Sequence, residues 1–395
     1  MRFILKTLLV LLLASGPLNF AFAQQQPTPD SDTDKDGTVL LLKDYEVVEP
    51  YFSADGKYII FQGAKLTEPG KHKNLEVYIW AFQPDLTQPS TEPVRITHTT
   101  TDPDSKLPQH ECTYFSPFSN KQIFYAETNV EADLEFGLGF MHLYSSGYKI
   151  HMATLNDDFS IKETKLITTE NAYNAEGVLS PVLKDVKMAK NFGNAKKWAN
   201  GTYLLFTSSK DGNLELYLKR IYDDKNELIT SNQETIRLTN TPTLQEGGAG
   251  FINDHQIIYR VWPYDSKEES EGGGMINPPM QLHILDISTG KDIAITDGDD
   301  RHWAPFPLRD KNGEADIFVY SKKSFIEKTK KFSPYYVWVM NLDKNKEEQI
   351  THETGMMDGF ATLSPDGKYI LFSRLAGHKM GEFTFKLRCK SYEAK

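Results

Sequence analysis

The stretch Ser364-Pro365-Asp366-Gly367-Lys368-Tyr369-Ile370-Leu371-Phe372 has a near copy, Ser53-Ala54-Asp55-Gly56-Lys57-Tyr58-Ile59-Ile60-Phe61, roughly 310 residues earlier, and two such cores at opposite ends of a chain point to a repeating unit rather than one long domain. Asp-Gly supplies the positive-φ position of a hairpin turn, expected here to be a two-residue one, and the apolar run after it reads as a buried strand. Each copy is therefore the first hairpin of a small antiparallel sheet.

Three further strand types recur between the copies. Final strands end in Arg95-Ile96-Thr97, Leu166-Ile167-Thr168, Arg237-Leu238-Thr239, Ala294-Ile295-Thr296 and Gln349-Ile350-Thr351. Opening strands carry Tyr51-Phe52-Ser53, Tyr114-Phe115-Ser116, Val178-Leu179-Ser180, Gly250-Phe251-Ile252, Pro305-Phe306-Pro307 and Thr362-Leu363-Ser364. Third strands with period-2 alternation lie between them, as at Leu75 to Trp80 and Leu214 to Leu218. Six openings against five endings is the informative mismatch. The apolar segment Val39 to Leu42 has no opening before it, and it would supply the missing fourth strand of the last sheet. Six four-stranded sheets closed in this way make an all-β, six-bladed β-propeller, which hides most strand edges by radial closure.

Residues 1–23 read as a cleavable leader. Arg2 and Lys6 are basic, Leu8 to Leu13 is apolar, and Ala21-Phe22-Ala23 has the small-x-small pattern of a signal-peptidase site. Cleavage after Ala23 gives a periplasmic or secreted protein with no membrane span left in it. Residues 24–37 are polar and form an expected flexible acidic linker, and 38–395 is the propeller. Asp32, Asp34 and Asp36 with Gly37 begin a calcium-loop pattern, but Lys43 stands where a bidentate Glu belongs, so a solvated linker without cofactor is the expectation. Cys112 and Cys389 are the two cysteines, read as free thiols, and with no CxxC pair they support neither redox chemistry nor a zinc site. The formal charge of −10 argues against a nucleic-acid or anionic-membrane partner.

Phe52-Ser53-Ala54-Asp55-Gly56-Lys57, the run Leu204-Leu205-Phe206-Thr207-Ser208-Ser209-Lys210-Asp211-Gly212-Asn213-Leu214-Glu215-Leu216-Tyr217, and Leu363-Ser364-Pro365-Asp366-Gly367-Lys368 resemble the TolB-type propeller repeats. So does the order Asn174-Ala175-Glu176, Arg237-Leu238-Thr239-Asn240-Thr241-Pro242, Gly247-Gly248, Trp303-Ala304-Pro305 and Asp358-Gly359-Phe360, and the likeness covers about residues 38 to 390. The resemblance implies an exported propeller, whose relatives range from protein-interaction platforms to accessory domains of peptidases. TolB carries an additional N-terminal α/β domain that the short linker here does not match. Blades two and four also depart, with Ser116-Pro117-Phe118-Ser119-Asn120 and Asn253-Asp254-His255 at the hairpin. Long inserts follow at Asn129 to Tyr148, Leu183 to Lys197 and Tyr264 to Pro279, where contacts with a partner are expected.

Signals for chemistry are mostly absent: there is no Gly-x-Ser-x-Gly elbow, phosphate-binding loop or His-Glu-x-x-His. Any site is therefore expected on the propeller axis, at the residues leading into the innermost strands: Glu49, Glu111 with Cys112, Glu176, Glu246, His302 with Trp303, and Asp358. Converging carboxylates can bind a cation or a basic peptide, or with raised pKa values do acid-base work. The competing account has them accept backbone hydrogen bonds and hold neighbouring sheets together, with His302 a packed histidine. The functional expectation is a monomeric binding platform for an envelope protein or peptide. The alternative is a channel-centred, metal-assisted hydrolase or polysaccharide lyase.

Overall fold

In the computed structural model the described residues are 33–66, 75–83, 91–98, 108–129, 146–190, 192, 198–229, 231, 234–264, 279–309, 313–352, 357–376 and 384–393. They form six four-stranded antiparallel sheets, with no helix among them. The innermost strands are Tyr45–Phe52, Gln109–Ser116, Asn174–Leu179, Leu244–Phe251, Arg301–Leu308 and Met357–Leu363, for blades one to six in order. Blade five carries an extra hairpin, Phe325–Ile326 against Lys331–Phe332, between its second and third strands.

Closure follows the strand count read from the sequence. Val39–Leu40 is the outermost strand of blade six and pairs antiparallel with Thr384–Ser391, Val39 opposite Cys389 and Leu40 opposite Arg388. Both cysteines are free thiols. Asp34 and Asp36, the described part of the calcium-loop pattern, sit against this closure. The carboxylate of Asp34 accepts from the Thr38 N–H at 2.8 Å, the Thr38 hydroxyl at 2.6 Å and Arg374 Nη1 at 2.6 Å. Asp36 accepts the N–H of His352 at 2.7 Å, and Lys390 Nζ donates to its carbonyl at 2.8 Å. Asp32 and the leader at 1–23 lie outside the described residues.

The recurring Ile-Thr pairs have a shared physical cause. In each of blades one to five the Thr hydroxyl accepts a backbone N–H of the third strand: Val77 to Thr97 at 2.9 Å, Ile150 to Thr168 at 2.8 Å, Leu216 to Thr239 at 2.9 Å, Leu282 to Thr296 at 2.8 Å and Val337 to Thr351 at 3.0 Å. The preceding residue continues the ladder with its N–H to the same third strand and turns its side chain inward. Thr is needed because the outer strand stops there and a buried N–H would otherwise have no partner.

The Asp-Gly hairpins differ from the expected two-residue turn. Gly56 and Gly367 do take φ of +71°, yet the ladder closes from Ser53 to Tyr58 and from Ser364 to Tyr369 around a four-residue loop. Ser53 explains the longer loop: its hydroxyl accepts the Tyr58 N–H at 3.0 Å and donates to Asp55 at 2.7 Å, and Ser364 does the same with Tyr369 and Asp366. Blade two instead turns tightly from Ser116 to Ser119.

Cores lie in the seams between blades. Phe61 and Tyr78 of blade one pack on Leu371 and Leu387 of blade six, and Leu205 and Leu218 of blade three on Tyr259 and Leu285 of blade four. The described part of the basic insert after Leu183 joins the second of these seams through Leu183, Ala189 and Phe192, leaving Lys184, Lys187 and Lys190 exposed. Replacing Thr168 with Val keeps the side-chain shape but strands the Ile150 N–H, so chemical denaturation should show a loss of about 1–3 kcal/mol. An unchanged midpoint would mean that this bond does not support the outer strand.

Candidate functional site

Every innermost strand is interrupted at the same place. Its pairing with the second strand skips between Val48 and Tyr51, Glu111 and Tyr114, Ala175 and Val178, Gly247 and Gly250, Trp303 and Phe306, and Gly359 and Thr362. The first skipped residue in each case is left-handed: Glu49 (φ 50°), Cys112 (49°), Glu176 (55°), Gly248 (59°), Ala304 (51°) and Phe360 (53°). An L-residue in this conformation costs about 1 kcal/mol or more, and five of the six positions bear that cost. The bulge turns these side chains off the sheet and onto the axis. Glu49, Cys112, Glu176, Gly248 and Ala304 are all partly accessible, whereas nearly all the residues just before them are buried.

This register sorts the candidate residues. Glu49 and Glu176 stand in the bulge ring itself. Glu111 is one residue earlier, as is Trp303; Glu246, His302 and Asp358 are two earlier. Position two residues ahead faces the neighbouring blade instead of the axis. There His302 Nδ1 lies 3.0 Å from the carbonyl of Met280, and burial lowers its pKa, so it is a packed, neutral histidine. Asp358 reaches the neighbouring blade through its N–H, given to the Tyr335 carbonyl at 3.0 Å, while its carboxylate takes a bidentate pair at 2.6 and 2.8 Å from Arg374 of its own blade, the same arginine that holds Asp34. Glu246 is buried beside Glu215, and burial followed by the Glu215 charge pushes it up to about 8. The equivalent His110 lies 3.1 Å from Glu76 and 3.4 Å from Glu127, whose bonds raise its pKa against the opposing effect of burial.

Glu49, Glu111, Cys112 and Glu176 are the members the structure brings together. Burial raises Glu49 to about 8, with the charges of Glu176 and Glu111 adding to the effect, while the Cys112 thiol bonds to it. Burial likewise lifts Glu111 to about 7, against a bond from the Tyr148 hydroxyl. The Cys112 thiol is pushed up by burial and then by Glu49, which makes it a poor nucleophile. Glu176 differs in having a full set of partners: Arg260 pairs with Oε1, while Oε2 accepts the Gly248 N–H at 2.7 Å and the Thr207 hydroxyl at 2.7 Å. Blade four makes room for this. A Cβ on Gly247 would stand 2.8 Å from Glu176 Oε2, and one on Gly248 3.4 Å from Arg260 Cζ.

Arg260 was not singled out from the sequence, although a charge inside Ile257-Ile258-Tyr259-Arg260-Val261-Trp262 is the signal that marks it. Its guanidinium lies over Trp262 at 5.1 Å and Trp303 at 5.9 Å. Trp303 packs edge-on against Phe360 at 4.5 Å, and Tyr335 lies beyond it at 6.0 Å. The axial carboxyls thus come from blades one to three, while the rings beside them come from both sides, Trp262, Trp303 and Phe360 from blades four to six and Tyr148 and Tyr173 from blades two and three. Two residues past the ring, Tyr51 of blade one meets Phe306 of blade five at 5.6 Å, narrowing that end. No group of three or more His, Cys, Asp and Glu with metal-binding geometry occurs among the described residues.

No protein-family model matches the sequence, and no curated protein matches it either. Solved structures do align with it. TolB from Acinetobacter baumannii is 14% identical over 88% of this chain and 64% of its own, with a TM-score of 0.42. Oligogalacturonate lyase from Vibrio parahaemolyticus is 11% identical over 90% and 95%, at 0.44, and Trypanosoma rangeli sialidase 6% identical over 90% and 57%, at 0.46. Likenesses of this degree to a Tol protein, a lyase and a sialidase assign no chemistry.

Two substitutions separate the axial carboxyls. Between pH 4.5 and about 8 the folded protein keeps a proton on Glu49 that the unfolded chain has lost, so Glu49 subtracts stability as pH rises through that window. Glu49→Gln should therefore raise the melting temperature at pH 8 by a few degrees and have little effect at pH 4.5. Glu176→Gln should instead destabilise at pH 8, by about 3 kcal/mol, because Arg260 would lose this buried counter-charge. Melting curves across the pH range test both, and equal effects of the two variants would contradict this division.

Proposed function

We propose that the chain is an exported β-propeller serving as a binding platform for a protein or peptide partner in the cell envelope, with a basic segment of the partner received at the axial carboxyls. The carrying observation is the division of labour just described. Asp358, His302 and Glu176, which acid-base or metal chemistry would call on, are committed to internal partners, while Glu49 and Glu111 remain at the axis as neutral or nearly neutral acids. An incoming ammonium or guanidinium supplies the opposite charge that ionises them, and the aromatic rings beside the axis suit such a cation by ring-face attraction. The leader-like segment at 1–23 and the TolB-type repeats of the sequence support the envelope setting. The exposed lysines at 184, 187 and 190 add a further polar surface on blade three.

Binding of a cation should release protons, because the carboxyls at about 8 and about 7 lose theirs when paired. Calorimetric titration with an acetylated, amidated Lys-Arg peptide should show affinity increasing as pH rises from 6 through 8, with heats that depend on the buffer's ionisation enthalpy. The double substitution Glu49→Gln and Glu111→Gln should remove both the binding and its pH dependence. Affinity that is flat across this range, or undiminished in the double variant, would count against the axial reading.

A further inference from the structure

Among the described residues, four seams share one main-chain rung. The residue two ahead of the axial bulge gives its N–H to the preceding blade: His110 to the carbonyl of Leu75 at 3.1 Å, and Glu246 to Leu214, His302 to Met280 and Asp358 to Tyr335 at 3.0 Å each. In blades one and three the acceptor is followed by a glutamate, Leu75-Glu76 and Leu214-Glu215, where blades four and five have Gln281 and Tyr336. The preceding glutamines complete the match. Gln109 Oε1 accepts the Leu75 N–H at 2.7 Å, and Gln245 Oε1 accepts the Leu214 N–H.

Both glutamates are built in alike. Each is held by the arginine that ends the outer strand of its blade, Glu76 by Arg95 at 2.6 Å and Glu215 by Arg237 at 2.8 Å. Across the seam Glu76 meets His110 Nδ1 at 3.1 Å, and His110 Nε2 lies 3.4 Å from Glu127. Glu215 instead meets the carboxyl of Glu246 within hydrogen-bond reach, and Oε2 of each is buried with no donor. All four side chains of the two pairs are buried. Two carboxylates facing each other only repel, and one proton between them supplies the missing donor. A proton on His110 likewise makes both of its ring nitrogens donors, one toward each glutamate.

From this equivalence we propose that the seams between blades one and two and between blades three and four are each fastened by one proton, whose loss in an alkaline medium loosens blades two and three together from the rest of the ring. The seam between those two blades is closed by the amide of Asn174, which has no proton to lose in this range. Around His110 stand Glu76 with Arg95 from blade one, and Glu127, His151 and Lys149 from its own blade. Burial alone would lower its pKa, but the bonds to Glu127 and Glu76 raise it above 6.5, so its support is full below that pH and is lost as pH rises past the raised value. Around Glu246 stand Glu215 with Arg237 and Asp211 from blade three, and Asp292 and Tyr259 from its own blade. Burial and then the Glu215 charge keep Glu246 protonated to about 8, so its support is full below 4.5 and has gone once pH passes about 8. A base and an acid thus weaken their seams in the same direction. Glu111, Cys112 and Glu176 belong to the two loosened blades, and this device operates whatever the axis binds.

Amide hydrogen exchange of the whole protein at about pH 6.5 and about pH 9, corrected for intrinsic rates, tests it. Protection at Leu75, His110, Leu214 and Glu246 should fall on the order of tenfold relative to His302 and Asp358, whose equivalent rungs carry no proton released in this range. This comparison of four seams within the parent protein needs no variant. Glu246→Gln, whose amide donates to Glu215 at either pH, should abolish the loss at the seam of blades three and four and leave the other. His110→Asn, which places there the residue blade three has as Asn174, should do the reverse. The proposal is overturned if all four rungs lose protection equally, if the first two seams keep theirs at pH 9, or if Glu246→Gln leaves the response of its own seam unchanged.

Discussion

The six left-handed breaks in the innermost strands are the constraint from which the rest of the structure follows. Each break removes one rung of the ladder and rotates one side chain from the sheet plane to the axis, so the axis receives one residue per blade whatever its chemistry. Geometry is repeated sixfold while identity is not: two glutamates, a cysteine, a glycine, an alanine and a phenylalanine occupy equivalent places. That a fold keeps a strained conformation at five non-glycine positions shows that the surrounding ladders determine the backbone here, not the residues themselves. The side chains are free to vary because the bulge does not depend on them. The bulge itself is therefore independent of the axial side chain, although a particular side chain can still act on stability, as Glu49 does through its burial and Glu176 through Arg260 and Gly248.

The position two residues earlier has the opposite character. Val47, His110, Asn174, Glu246, His302 and Asp358 face the seams, and nearly every seam is closed by a different polar device. Asn174 donates to the carbonyl of Tyr148 at 2.9 Å, His302 lies 3.0 Å from the carbonyl of Met280, and Glu246 meets Glu215. Each buried group there requires a particular partner, since an unpaired one is costly. A blade placed beside the wrong neighbour would bury mismatched groups, which gives six similar sheets one order around the ring.

Sequence patterns conveyed the blades more fully than the site. The Thr residues after Ile96, Ile167, Leu238, Ile295 and Ile350 are legible because a side chain does the same job five times, and the strand deficit at Val39 to Leu42 followed from counting. The bulge leaves no such mark, since glutamate, cysteine and phenylalanine share no property there. Residues leading into the strands read alike in the sequence, whereas Glu49 and Glu176 point to the axis, Glu246 and His302 to the seams, and Asp358 to Arg374 of its own blade. The offset is two residues, within a strand whose direction changes between them. Arg260 and Arg374 carry a clearer trace, each a lone charge inside an apolar second strand, and both serve a carboxylate of this kind. The Asp-Gly loops were longer than expected because Ser53 and Ser364 supply the closing hydrogen bonds that a shorter turn would draw from the backbone.

The pairing of Val39 and Leu40 with Arg388 and Cys389 has a consequence for how the chain reaches its native state. Three strands of blade six and the early strand that completes it are separated by nearly the whole polypeptide, so the last rung joins residues of very large sequence separation. Contacts of that kind form late, because the intervening loop must be ordered first. Blades one to five can condense one after another as the chain emerges, each from local hairpins. Blade six stays an open-edged sheet until the early strand returns to it, and during that interval its edge is the part of the molecule most exposed to pairing with other chains.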